Sequence, residues 1–264
     1  MRPPTMTELY AISPFLTVMP QFASTAPFGN PELKSEKRWQ IDTGLQAKYS
    51  NFRGGVNGFY AWVHDYVTLD LIFINDLTND DPMLTTDADL PLYGFVNTDL
   101  ATLSGFETYG EYDVNRCVTA FATMSYVEGR DHTRSGNNFL EKFGVNRPRS
   151  DDTGREEPLY AVSPLEARVG LRYQEPCEKR YGVELSARIV DHQDRVATTL
   201  LETETAGFTT YDVRGFWRVC DNLTLVSGVE NFTDKHYQEH LDSRNFSDVF
   251  QPGVNFYFGA ELSY

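Results

Sequence analysis

The chain has 264 residues, with 38 acidic against 23 basic side chains, a formal charge of −15 and three cysteines. That length suits one large domain or a piece of a bigger one, and the acidic balance argues against a nucleic-acid partner, because phosphate contacts need clustered Lys and Arg. The sequence has no run of about 18 apolar residues, which excludes a transmembrane helix. Its 18 Phe, 15 Tyr and 3 Trp beside 19 Gly point instead to a β protein, and alternating strands escape hydropathy windows, so a membrane location stays open.

In chain order, the first twenty residues carry Pro3, Pro4, Glu8, Pro14 and Pro20 with no apolar core, so no signal peptide is expected. A strand over Ser13–Phe22 is expected only at an edge or an end, where its prolines are tolerated. From Trp39 the chain alternates. Odd positions read Trp39, Ile41, Thr43, Leu45, Ala47, Tyr49, and even ones Gln40, Asp42, Gly44, Gln46, Lys48. One face is apolar and the other polar, as a strand between an apolar and a wet side requires. The pattern recurs in Val56–Trp62, more weakly in Ser104–Val114 with Glu107 and Glu111 on the polar face, and then in Val118–Tyr126 and Ala167–Tyr173. Tyr181–Ile189, Tyr211–Trp217, Leu223–Val229 and Phe256–Tyr264 complete a set of nine or ten strands.

The connections alternate too. Short turns fall at Ser50-Asn51, Asn115-Arg116, Gln174 to Arg180 and Cys220 to Asn222, and long loops at Ala23–Lys37, Leu71–Leu92, Gly129–Tyr160, His192–Phe208 and Phe232–Gly253. An up-and-down sheet then carries every short turn at one end, the asymmetry of outer-membrane barrels. Tyr49, Phe52, Tyr173, Tyr181, Trp217 and Tyr264 lie near the short-turn end of the apolar face. Trp39, Tyr60, Trp62, Tyr126 and Tyr211 lie near its other end. Two aromatic bands suit two membrane interfaces. The expected fold is all-β, an antiparallel up-and-down transmembrane β-barrel of about ten strands.

The polar face supplies the candidate functional residues. Arg168 and Arg172, Glu184 and Arg188, Asp212 and Arg214, Glu230, and Glu261 follow one another on successive strands. Strands lie about 4.8 Å apart, so opposite signs can meet across the ladder. The five histidines offer less. His64, His132 and His192 each adjoin an aspartate, and adjacent strand residues point to opposite faces. His192 and Asp194 share parity but have no second carboxylate pair. His236 and His240 have the spacing of a helical zinc site without any helix signal, so a structural use is expected. No catalytic residue, metal site or cofactor is expected. Cys117, Cys177 and Cys220 fall at short turns about 10 Å apart, beyond the span of a disulfide, so free thiols are expected.

Several segments carry a family resemblance. Asn30-Pro31-Glu32-Leu33-Lys34-Ser35-Glu36-Lys37, leading into Trp39, resembles the NPxLKxE signature of TonB-dependent outer-membrane receptors. Gly228 to Tyr237 resembles their GxxNLxDKxY element, and Phe250 to Tyr257 the element before the last strand. Pro158-Leu159-Tyr160 with Ser163-Pro164-Leu165 resembles a loop exit in which the family has a proline where Ser163 stands. The resemblance implies a barrel of about 22 strands closed around a plug. Residues 1–264 are then expected to be a C-terminal barrel segment without the plug or the peptide that engages TonB.

The implied function is uptake of a scarce ligand, a ferric siderophore or similar metal chelate, across the outer membrane, with no covalent chemistry in the barrel. The implied partners are outer-membrane lipid, the plug and TonB system of the parent receptor, the barrel assembly machinery and the chelate. The charge ladder would face the plug. Phe256, Phe258, Leu262 and Tyr264 share one face and are expected to be the insertion signal read by the assembly machinery, with Ala260 departing from the usual bulky residue. Two alternatives remain: a small autonomous barrel acting as a passive pore or anchor, and a barrel enzyme.

Overall fold

The computed structural model describes residues 1–10, 27–72, 92–132, 156–200, 202–242 and 250–263. In chain order the elements are α1 (Met6–Tyr10), β1 (Pro27–Phe28), β2 (Lys37–Lys48), β3 (Phe52–Ile72), β4 (Leu92–Asp113), β5 (Val118–Asp131) and β6 (Glu157–Pro158). Then come β7 (Glu166–Gln174), β8 (Tyr181–Val190), a 3-10 turn (Thr198–Leu200), β9 (Phe208–Cys220), β10 (Leu223–Glu230) and β11 (Asn255–Leu262). The wall is one sheet in the order β2-β3-β4-β5-β7-β8-β9-β10-β11, antiparallel throughout, with β1 added to β4 and β6 to β5. The expected Ser13–Phe22 strand lies outside the described residues.

Local chemistry sets the short turns. Tyr49 N–H donates to Phe52 C=O at 2.7 Å and closes the first hairpin. In the second, the Asn115 side-chain oxygen accepts from Cys117 and Val118 N–H at 2.8 and 2.9 Å, an Asx turn. In the third, the Glu175 carboxylate accepts from Cys177, Glu178 and Arg180 N–H, which holds its pKa below the usual carboxylate value, the Cys177 bond contributing most.

Register settles which residues share a face. Ile41 pairs with Tyr60, Leu45 with Val56, Leu171 with Leu185 and Leu185 with Val213, so one face of the wall is continuously apolar. Those side chains are open: Leu45 is 76 % exposed, Ile41 62 %, Leu171 53 % and Phe258 73 %. Soluble proteins rarely leave a contiguous apolar patch beyond a few hundred Å², and a surface of this extent belongs against lipid.

β3 and β4 depart from expectation by their length, 21 and 22 residues, against the Val56–Trp62 and Ser104–Val114 segments read from alternation. A tilted strand needs only about 9–11 residues to cross a membrane, so both project past it at the long-loop end. There the sheet is covered on both sides. Val67, Leu69, Phe95 and Val96 are all buried, and a doubly buried strand reads as an apolar run rather than an alternation. Asp65 marks the change with a left-handed φ of 56°, its carbonyl accepting from Asn97 Nδ2 at 2.7 Å and its carboxylate 2.9 Å from Lys37 Nζ.

The packed core therefore sits at this end and not inside the wall. Leu33, Val67, Leu69, Phe95, Ala197 and Leu200 form it, with Leu9 of α1 and Tyr160 against them. It joins the segment before β2, the β3–β4 projection and the β8–β9 loop into one body above the sheet.

Candidate functional site

The polar face carries the expected ladder and extends it. Near the short-turn end, Arg53 of β3 binds Glu111 and, at 2.9 Å, Asp113 of β4. Arg172 of β7 reaches Glu111 at 3.5 Å on one side and Glu184 of β8 at 3.0 Å on the other, and Glu184 also takes Arg214 of β9 at 3.3 Å. The result is a belt of alternating charge, Asp113–Arg53–Glu111–Arg172–Glu184–Arg214, along six strands. It crosses β5, which contributes no charge, by laying the Arg172 guanidinium over the Phe121 ring, 5.2 Å from its centroid.

The ring can lie flat because Gly170 stands opposite it. A Cβ at Gly170 would meet Phe121 Cζ at 2.5 Å and the Leu185 carbonyl oxygen at 2.6 Å. Phe216 lies over Gly182 in the same manner, where a Cβ would meet Phe216 Cε1 at 2.6 Å. Aromatic rings covering cross-strand glycines hold register and keep the polar face low in relief.

A second group lies higher on the wall. Arg168 donates to Ser186 at 3.0 Å and approaches Asp212 at 3.4 Å, while Asp212 also accepts Asn231 N–H at 3.0 Å. Arg188 binds Glu166 through Nε and Nη2 at 2.8 and 2.7 Å and Glu239 of the β10–β11 loop at 2.5 Å. Glu230 accepts from Asn255 at 3.1 Å. Glu261 stands opposite Thr224 in register and makes no ion pair among the described residues. Sequence parity found most of these residues. It missed Arg53, Asp113 and Glu239 as partners, though Arg53 lies opposite Glu111 once β3 and β4 are registered.

The family-like motifs turn out to fasten the loops. Asn30, 1 % exposed, donates to Phe95 C=O at 3.1 Å and accepts Glu32 N–H at 2.9 Å. Glu36 takes the Arg2 guanidinium through two bonds of 2.7 Å and Val67 N–H at 3.0 Å. Burial raises its pKa, but these donors outweigh that and hold the carboxyl below its ordinary value. Asn231, at a left-handed φ of 48°, exchanges side-chain bonds with Lys235 backbone at 2.8 and 2.9 Å, and Tyr237 packs on Phe208 with ring centroids 4.2 Å apart. Gly253 faces Asp234, whose Oδ1 would lie 2.3 Å from a Cβ there.

Glu202 is the hub of the loop cluster. Its carboxylate accepts Ala161 N–H at 2.8 Å and Ala197 N–H at 2.6 Å, and lies 3.1 Å from His240 Nε2, while His240 Nδ1 lies 3.0 Å from Thr205 Oγ1. His240 is thus a structural residue. His192 lies 3.4 Å from Glu204 rather than beside Asp194, and His132 bonds Thr102 at 2.7 Å and Glu156 at 2.9 Å. Cys117, Cys177 and Cys220 are free thiols at the short-turn end. Phe256, Phe258 and Leu262 share the apolar face of β11, each at least 70 % exposed, and Tyr264 lies outside the described residues.

This pattern of an apolar outer face, a charged inner face and anchored long loops agrees with a family model described as "TonB dependent receptor-like, beta-barrel", which matches residues 1–232. The chain belongs to that family. Its members are receptors and transporters of the outer membrane rather than enzymes, and the chain is placed in that membrane with them.

Similar curated proteins include the "Hemoglobin-haptoglobin utilization protein B" of Neisseria meningitidis serogroup A, 22 % identical over 89 % of this chain and 28 % of the relative. Another is the "Probable hemoglobin and hemoglobin-haptoglobin-binding protein 4" of Haemophilus influenzae, 23 % identical over 100 % of this chain and 27 % of the relative. The chain therefore spans about a quarter of the length of these relatives. Among solved structures, the "Copper transporter OprC" superposes with a TM-score of 0.71 at 23 % identity, covering all of this chain and 35 % of that one. The siderophore receptor PirA of Pseudomonas aeruginosa superposes at 0.59 with 12 % identity over 99 % of this chain and 37 % of its own. At these identities the structures establish the fold alone.

Proposed function

We propose that this chain is the C-terminal barrel segment of a TonB-dependent receptor that imports a scarce metal-bearing ligand across the outer membrane. The observation that carries the reading is the family match over a wall whose outer face is apolar and whose inner face is a continuous belt of paired charge. The belt suits a lumen filled by a folded plug: its ions are paired within the wall, so a plug can lie against them through polar contacts that break cheaply. The wall holds the conduit, the long loops present the capture surface, and an inner-membrane TonB partner supplies the energy. The ligand class is a ferric siderophore or similar metal chelate. A second reading, a haemoglobin-derived iron source, is favoured by the likeness to the haemoglobin–haptoglobin proteins of Neisseria meningitidis and Haemophilus influenzae.

The test uses the parent receptor gene in a host stripped of its own iron receptors and grown under iron starvation. Growth on a ferric siderophore but not on haemoglobin–haptoglobin supports the first reading, and the reverse supports the second. Deleting the host's TonB should abolish growth in either case. Equal growth without TonB would make the barrel a passive pore.

A further inference from the structure

The β10–β11 loop is fastened through two adjacent residues that turn opposite ways. Glu239 turns to the inner wall, where its carboxylate takes Arg188 Nη1 at 2.5 Å and Nη2 at 3.3 Å. His240 turns into the loop cluster, onto Glu202 and Thr205. The side chains of His240 and Glu202 are 1 % and 3 % exposed, so their bonds cannot be traded for bonds to water while the cluster stays closed. Arg188 is held from the wall side by Glu166 and lies 5.3 Å from the centroid of the Phe208 ring, against which Tyr237 of the same loop packs. A contiguous chain thus runs from a lumenal arginine through one loop to a buried carboxylate that holds backbone amides of two others.

We propose that Arg188 is a positioning residue for the loops at the mouth. By fixing Glu239 it fixes His240, and through His240 it sets where Glu202 stands against the amides of Ala161 and Ala197. Residues 159–165, 191–200, 202–207 and 231–242 of the β6–β7, β8–β9 and β10–β11 loops then open and close as one body. A change at the inner wall reaches loops that the wall residue never touches, and a change in the loops reaches the lumen. This gives coupling a physical route with two arrangements, latched and released. The significance for capture rests on the proposed receptor function, but the latch is tested without any ligand, so the two fail separately.

The experiment is amide hydrogen exchange on the parent receptor in lipid vesicles, read at Ala161 and Ala197. Arg188→Gln should speed both amides by about tenfold or more, the effect of losing a partly buried charged hydrogen bond. Arg214→Gln breaks a similar pair at the far end of the wall and should leave them unchanged. Glu239→Gln should reproduce Arg188→Gln, and the double variant should be no worse than either, because both act through one link. Exchange in β10 serves as the check on folding, and Glu239→Gln carries the test alone if Arg188→Gln does not fold. Wild-type rates at Ala161 and Ala197 in the folded Arg188→Gln and Glu239→Gln variants, or effects that simply add, would overturn the proposal.

Discussion

Replacing Gly170 with alanine should destabilise the wall through a side chain it does not carry. The new Cβ would stand 2.5 Å from Phe121 Cζ and 2.6 Å from the Leu185 carbonyl oxygen. The ring can swing away but the carbonyl, held in the β7–β8 ladder, cannot. Overpacking of this kind costs about 1–3 kcal/mol. Moving the ring also strips Phe121 from beneath Arg172, now 5.2 Å from its centroid, a stacking contact of about 0.5–2 kcal/mol when partly exposed. The sum is about 1.5–5 kcal/mol, measured as the shift in urea unfolding of the parent receptor in lipid vesicles. Phe121→Ala on the same background should recover about 1–2 kcal/mol of that loss, because the ring is the movable half of the clash, while the contact with Leu185 remains. A Gly170→Ala variant within about 0.5 kcal/mol of the parent, or strictly additive effects of the two substitutions, would refute the reasoning.

Three further outcomes follow from the same wall. Leu185 sits mid-strand on the apolar face between Leu171 and Val213, so Leu185→Arg should cost about 2–4 kcal/mol and lower the amount of folded protein in the outer membrane. The Glu175 carboxyl has a lowered folded pKa, so its bonds stabilise the turn above the ordinary carboxylate range and are lost as pH falls through the folded value; proteolysis at this turn should rise on acidification in the parent but show no such step in Glu175→Gln. Phe258→Asp, on the exposed face of β11, should impair assembly more than the same change at Ile189, read as outer-membrane levels of the parent receptor, and equal levels for both would show that β11 carries no special signal.

What the sequence discloses follows the range of the interactions. Strands such as β2 and β8 are legible because each residue's side alternates with its neighbour's, and the short turns are written in local residues such as Asn115 and Glu175. The ladder is half legible. Parity puts Arg172 and Glu184 on one face, but the reach of Arg172 over β5 to Glu111 depends on a ring and a glycine that no periodicity pairs. The outer thirds of β3 and β4 are hidden because burial on both faces removes the alternation. The loop cluster is hidden for a different reason: Glu202 meets Ala161 and His240 across 41 and 38 residues, and nothing local marks the encounter. Asn30, Glu36 and Asn231 were conspicuous only by family resemblance, and their anchoring work is visible only in three dimensions.

The central claim is that the apolar face meets lipid and the charged face does not. The chain's 3 tryptophans, Trp39, Trp62 and Trp217, all lie on the apolar face, 73 %, 36 % and 56 % exposed, the first two toward the long-loop end and the third toward the short-turn end. Their fluorescence, in the parent receptor with every other tryptophan replaced by phenylalanine and held in vesicles of brominated lipid, reads their surroundings directly. Emission should be strongly quenched, more by bromines near the headgroups than by bromines at the chain ends, and iodide in the water should quench it weakly. Emission that ignores the brominated lipid and yields to aqueous iodide would contradict the account.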